Sequence, residues 1–230
     1  MAMAFPVLNW FQISRQRPAR PDRMMHRTSK LRVAGMVFAW LVSLSGFSQT
    51  LYNQSIAAHR EAYKADFLKS AKSPLKKEEL AYLRFYAPDS TYRIEASVRR
   101  TPEAEPFELP TYDGQKKTYV SYAVLSFTLH GKPHQLTVYR SLQLARLPQY
   151  RDYLFLPFKD ATNGKETYGG GRYMDLRLGD IKDGKLILDF NKAYNPYCAY
   201  SDGYACPIPP KENHLAVSIP VGERQFDKIH

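Results

Sequence analysis

From Tyr92 to Arg140 the hydrophobic period of the chain is two, and nothing else in the sequence restricts the fold as much. In "TYRIEASVR" Tyr92, Ile94, Ala96 and Val98 alternate with Arg93, Glu95, Ser97 and Arg99. Successive side chains of an extended chain point to opposite sides, so this is a strand with one wet face. "TYVSYAVLSFTL" (118–129) is apolar on both sides and predicts a central strand. His130-Gly131-Lys132-Pro133 reverses the chain and "HQLTVYR" returns it, so a long hairpin is expected over roughly 118–140. "YLFLPF" (153–158) predicts another strand, and "RYMDLRL" and "KLILDF" about Asp183-Gly184 predict a second hairpin. "HLAVSIPVG" predicts a last strand through Leu215, Val217, Ile219 and Val221. Strands joined by short turns, with no helices between them, predict a mainly β (α+β) fold, an antiparallel β-sandwich or barrel-like sheet.

Upstream the period is 3.6. Ser55 is placed to cap a helix whose stripe is Ile56, Tyr63 and Phe67. Ser73-Pro74 is a second start signal, continued by Glu78, Glu79, Leu80 and Leu83. Two N-terminal helices are therefore expected before the sheet, within a single domain spanning 49–230.

Residues 1–48 read as an address. Met25 to Arg32 is short and positive, Val33 to Leu44 is uncharged and apolar, and Gly46 and Ser48 are the small residues before a cut ahead of Gln49. That is the three-part pattern of a secretory signal peptide, with translation starting at Met24 or Met25. A periplasmic or extracellular protein with no stable membrane span after cleavage is expected. The same 48 residues hold seven basic residues and one acid, so of the net charge of +11 only +5 belongs to the remainder. No basic stripe or nucleic-acid motif accompanies it, and nucleic acid is not an expected partner.

The stretch "FLPFKDATNGKETYGGGRYMDL" and the later "LILDFNKAYNPYCAYSDGYACPIPPKENHLAVSIPVGE" carry a set of signatures. These are Pro157-Phe158-x-Asp160, Thr167-Tyr168-Gly169-Gly170-Gly171-Arg172-Tyr173, Asp189-Phe190-Asn191, Asn195-Pro196-x-Cys198-Ala199-Tyr200 and Cys206-Pro207-x-Pro209-Pro210-x-Glu212-Asn213. Over roughly 155–223 the chain resembles the bacterial and archaeal domain of unknown function 1684. The resemblance implies no settled activity.

Gly169, Gly170 and Gly171 admit two readings. Successive N–H groups of consecutive glycines can point inward as an anion nest, with the Arg172 fork adding donors. Equally, glycine marks a bulge or sharp bend, with room for a Tyr ring across it, and in strands this is its usual role. Neither the P-loop nor the dinucleotide fingerprint fits the spacing. Gly169, Gly170, Gly171, Arg172, Tyr173, Asn191, Asn195 and Asn213 are the candidate ligand-binding residues, because these polar signatures gather in one half of the chain, on loops.

In an exported protein Cys198 and Cys206 predict a disulfide. Zinc held by the two thiolates with His214 and Glu212 lacks the close Cys spacing such sites use. No metal and no cofactor is expected. His130 and His134 flank the hairpin turn. Asp160, Glu166, Asp175, Asp189 and Glu212 are candidates for paired-carboxylate hydrolysis of envelope glycans or esters. Three readings result: a non-catalytic domain binding a small anionic or sugar-like ligand, a hydrolase of that kind, or a structural protein of the cell envelope.

Overall fold

The computed structural model describes residues 49–228. The expected signal peptide and its cleavage site lie outside the described residues.

Helix α1 spans 49–67 and buries the expected stripe: Ile56 and Phe67 are fully or nearly fully buried and Tyr63 is half-buried. Ser55 does not cap it. Its hydroxyl donates back to the Tyr52 carbonyl at 2.7 Å, one turn inside the helix. The second expected helix is a short 3-10 turn, Lys77–Tyr82. Its apolar anchors, Leu80 and Leu83, are three residues apart, which is the period of a 3-10 turn. The chain then extends, because Phe85 pairs with Glu223 near the far end of the domain.

Seven strands follow: β1 Arg93–Arg100, β2 Phe107–Pro110, β3 Lys116–Leu129, β4 Lys132–Ser141, β5 Tyr153–Phe158, β6 Arg172–Arg177 and β7 Lys185–Asp189. They form one antiparallel sheet in the order β6-β5-β4-β3-β1-β7, with β2 also on β3. The expected hairpin is β3 and β4, closed by His130 and Gly131 at φ 50° and 74°. A two-residue turn with both φ positive matches the twist of the strands it joins.

The second expected hairpin is not formed. The Asp183-Gly184 turn exists, yet β6 pairs with β5 and β7 with β1, at opposite ends of the sheet. A flat sheet of this order sets its two edge strands about 24 Å apart. The connection between them, 178–184, holds a 3-10 turn (Leu178–Asp180) and a reverse turn, both of which shorten it. The sheet therefore curls into a half-barrel, one sheet bent round rather than two sheets packed face to face. A bulge in β3 assists the curl: Ser121 faces Tyr139 while Ala123 faces Val138, leaving Tyr122 unpaired. One extra residue also inverts the alternation. Leu125, Phe127 and Leu129 enter the main core, whereas Tyr119 enters an aromatic cluster with Tyr139, Phe155 and Tyr173.

The last expected strand is an extended strap whose first half meets the segment after β5 through a short parallel pairing (Leu215 N–H to the Lys159 carbonyl at 2.8 Å, Ala161 N–H to the Val217 carbonyl at 3.1 Å) and whose second half has no ladder. Leu215, Ile219 and Val221 are buried in the main core as their alternation predicts, but they belong to no strand.

Candidate functional site

Beyond Val217 the strap has no ladder, and its peptide groups need other partners, since buried carbonyls are rarely left unpaired. Arg172, at the start of β6 and fully buried, supplies them. Its Nη2 donates to the Ile219 carbonyl at 2.8 Å and to Asp160 Oδ2 at 2.7 Å, and its Nη1 donates to the Val221 carbonyl and, at 3.4 Å, to that of Glu223. Asp160 Oδ1 accepts from the Ile219 N–H at 3.2 Å. One buried ion pair thus stands in for a strand.

The three asparagines act likewise. Asn213 exchanges hydrogen bonds of 2.7 and 2.8 Å with the N–H and carbonyl of Thr137 on β4, and donates to the Pro157 carbonyl on β5 at 2.7 Å. It bridges two strands where proline lacks a donor. Asn191 makes the same double exchange with the backbone of Asp89, at 2.8 Å each way. Asn195 donates from Nδ2 to the Arg224 carbonyl at 2.7 Å. Each carboxamide behaves as a spare peptide group.

The glycines serve close packing. Tyr168 folds over Gly170, where an added Cβ would lie 2.2 Å from its ring, and Tyr112 Oη donates to the Gly170 carbonyl at 2.8 Å. Gly171 has φ +98°, and a Cβ there would meet the Phe158 carbonyl oxygen at 2.7 Å. The turn lets β6 begin with the Arg172 side chain directed inward, so the guanidinium is bonded to its own chain.

Cys198 and Cys206 are paired, with Cα atoms 6.3 Å apart. Glu166 accepts from Tyr86 at 2.9 Å and Glu212 from Tyr139 at 2.8 Å. His130 is engaged by Tyr92 at 3.0 Å, and His134 lies against Phe127. Among the described residues, no cluster of three or more His, Cys, Asp or Glu could hold a metal ion.

Sequence reasoning passed over Glu223. It is fully buried and accepts from Tyr200 at 2.7 Å, from Tyr63 of α1 at 3.1 Å and from the Asn195 N–H at 2.8 Å. It ties the helix, the cysteine loop and the C-terminal strap together. Burial pushes its pKa up to about 7, outweighing those hydrogen bonds. The Asn195 Oδ1 is buried with no partner among the described residues. A lone Glu near a chain end carries no periodic signal, and only its partners mark it.

A cleft of about 1040 Å³ lies on the aromatic face of the sheet, with α1 on one side (His59, Ala62, Tyr63) and the cysteine loop on another (Tyr197, Tyr204, Cys206). Its floor is Tyr119, Tyr153, Phe155, Tyr173 and Asp175. Of the eight residues expected to bind ligand, only Tyr173 borders it, and of the five carboxylates, Asp175 and Asp189 do. Asp189 is buried and committed to Tyr52 and Asn191 at 2.9–3.1 Å. Asp175 is exposed, and its Oδ1 accepts from both Tyr153 (2.7 Å) and Tyr194 (2.6 Å). Burial first, and the Asp175 charge second, raise the pKa of both phenols well above the ordinary value. Burial also lowers the pKa of His59 and Lys117 at the cleft wall.

The family described as "Protein of unknown function (DUF1684)" matches residues 78–224. The solution NMR structure of an uncharacterised protein from Haloarcula marismortui is 37% identical to the chain, with a TM-score of 0.59 over 75% of this chain and 94% of that one. Among curated proteins no relative matches.

Proposed function

Because the chain belongs to the family described as Protein of unknown function (DUF1684), a description that names no reaction, we propose its role from its own geometry: an exported, non-catalytic domain that binds a small polar molecule in the tyrosine-walled cleft. The observation that carries this reading is Asp175. Two tyrosines hold its carboxylate in a fixed position at the floor of a cavity large enough for a small organic molecule. The Gly169–Arg172 turn has no direct part in it, since the guanidinium is engaged by Asp160 and the strap. Export is supported by the N-terminal sequence pattern and by the cysteine pair, which suits an oxidising compartment. Among the described residues no helix is long and apolar enough to cross a membrane.

The test is native mass spectrometry of the protein recovered from its exporting host. An adduct of a few hundred daltons is expected, and Ala62→Trp should remove it, because Ala62 is an exposed helix residue at the cleft wall. An apo mass in the wild type, or an adduct that persists in Ala62→Trp at unchanged stability, would refute the reading.

A further inference from the structure

The hydrogen-bond inventory at Asp175 says what kind of group the cleft would hold. Both phenols keep their protons, and both protons point at Oδ1. What remains for a ligand is acceptor only: Asp175 Oδ2, which has no hydrogen bond among the described residues, and the lone pairs of two phenol oxygens. Arg93, Lys117, Lys182 and Lys192 also line the cleft. Among the described residues no Lys or Arg lies within ion-pair distance of Asp175. Arg177, two residues further on β6, is taken by Asp152 at 2.8 Å. Lys117 across the cleft is bonded to the Ala205 carbonyl.

A negative, acceptor-only cluster is complementary to a positive, donor-only group. A primary ammonium is such a group, with three donors and no acceptor. Beside the carboxylate, Phe155, Tyr173 and Ile187 border the same cleft and offer apolar surface to an alkyl stem. The Tyr ring faces also attract a cation. Anions are repelled by Asp175, and a sugar hydroxyl satisfies fewer of the acceptors without neutralising the charge.

We propose that the cleft binds an alkylammonium ligand, with its nitrogen seated on Asp175 Oδ2 between Tyr153 and Tyr194. The inference rests on the ligand-binding reading above and adds the ligand's class.

The experiment titrates the exported protein with four probes, n-butylammonium, 1-butanol, butyrate and methyl glucoside, followed by two-dimensional amide NMR. Butylammonium is expected to shift resonances around Asp175, Tyr153 and Tyr194 at concentrations at least tenfold lower than the other three. Asp175→Asn keeps an Oδ1 acceptor for both phenols and turns the free position from acceptor to donor. It should leave the melting temperature within a few degrees of wild type and abolish the preference for butylammonium. Tighter binding of the alcohol, butyrate or glucoside in the cleft overturns the ammonium class and leaves the small-ligand reading standing. A preference that survives Asp175→Asn, or no cleft shift with butylammonium at all, overturns the proposal as well. The Ala62→Trp adduct test then decides the broader reading separately.

Discussion

Replacing Arg172 by Met keeps the length and apolar stem of the side chain and removes only the fork. Two consequences follow inside the fold. Asp160, 0% exposed at its side chain, loses its only ion-pair partner among the described residues, and the Val221 carbonyl loses its donor, while the Ile219 carbonyl keeps the Val221 N–H at 2.9 Å. Breaking one half of a buried ion pair destabilises by about 3–5 kcal/mol. The orphaned Val221 carbonyl adds about 1–3 kcal/mol, though water entering the gap recovers part of it. Arg172→Met should therefore lose about 4–6 kcal/mol, a large share of the roughly 5–15 kcal/mol that holds a domain together. At a urea m-value of about 2 kcal/mol per molar, the unfolding midpoint falls by about 2–3 M. The double variant Asp160→Asn/Arg172→Met should be less damaged than Arg172→Met alone, because it buries no unpaired charge. Urea titration of the three proteins, read by tyrosine fluorescence and circular dichroism, measures this. A loss below about 1 kcal/mol in Arg172→Met would show that the strap is held by its apolar contacts and that the guanidinium is incidental.

Two further outcomes follow from the same contacts. Glu223 titrates near 7 in the folded chain against 4.5 when free, so between those values the folded state holds a proton that the unfolded state has released. Stability should therefore fall as pH rises from about 4.5 to about 7, by about 3 kcal/mol at most. The groups facing this carboxyl are Tyr63, Tyr200 and Asn195, and Glu223→Gln should flatten that part of the stability curve; an unchanged slope would place the titration elsewhere. Gly171→Ala puts a Cβ 2.7 Å from the Phe158 carbonyl at φ +98° and should destabilise by about 2 kcal/mol or more in thermal unfolding, whereas an unchanged melting temperature would mean that β6 does not need this bend.

The alternation along Tyr92, Ile94, Ala96 and Val98, and the His130-Gly131 turn, were legible because local geometry decides them: the period follows from the pleat, and the turn from φ. The stripe Ile56, Tyr63, Phe67 was legible for the same reason. Where the alternation of the strap was read as a strand, burial was right and pairing was not, since Leu215 to Val221 shows which residues go inside but not which donors meet their carbonyls. Arg172 answers that question from 47 residues away, and Asn191 and Asn213 answer it elsewhere. Before the fold is known, an Arg or Asn that replaces a peptide group looks the same as one that waits for a ligand.

The sequence alone therefore determined the strand-rich class, the central hairpin, the helical stripe, the cysteine pairing and the family signatures, all of which depend on neighbours within a few residues or on composition. Tertiary structure decided the curl that parts β6 from β7, the burial of Glu223 between Tyr63 and Tyr200, and the meeting of Tyr153, Asp175 and Tyr194 on the cleft floor. Those depend on residues up to 160 positions apart, whose approach is set by sheet order and packing and leaves no period in the chain.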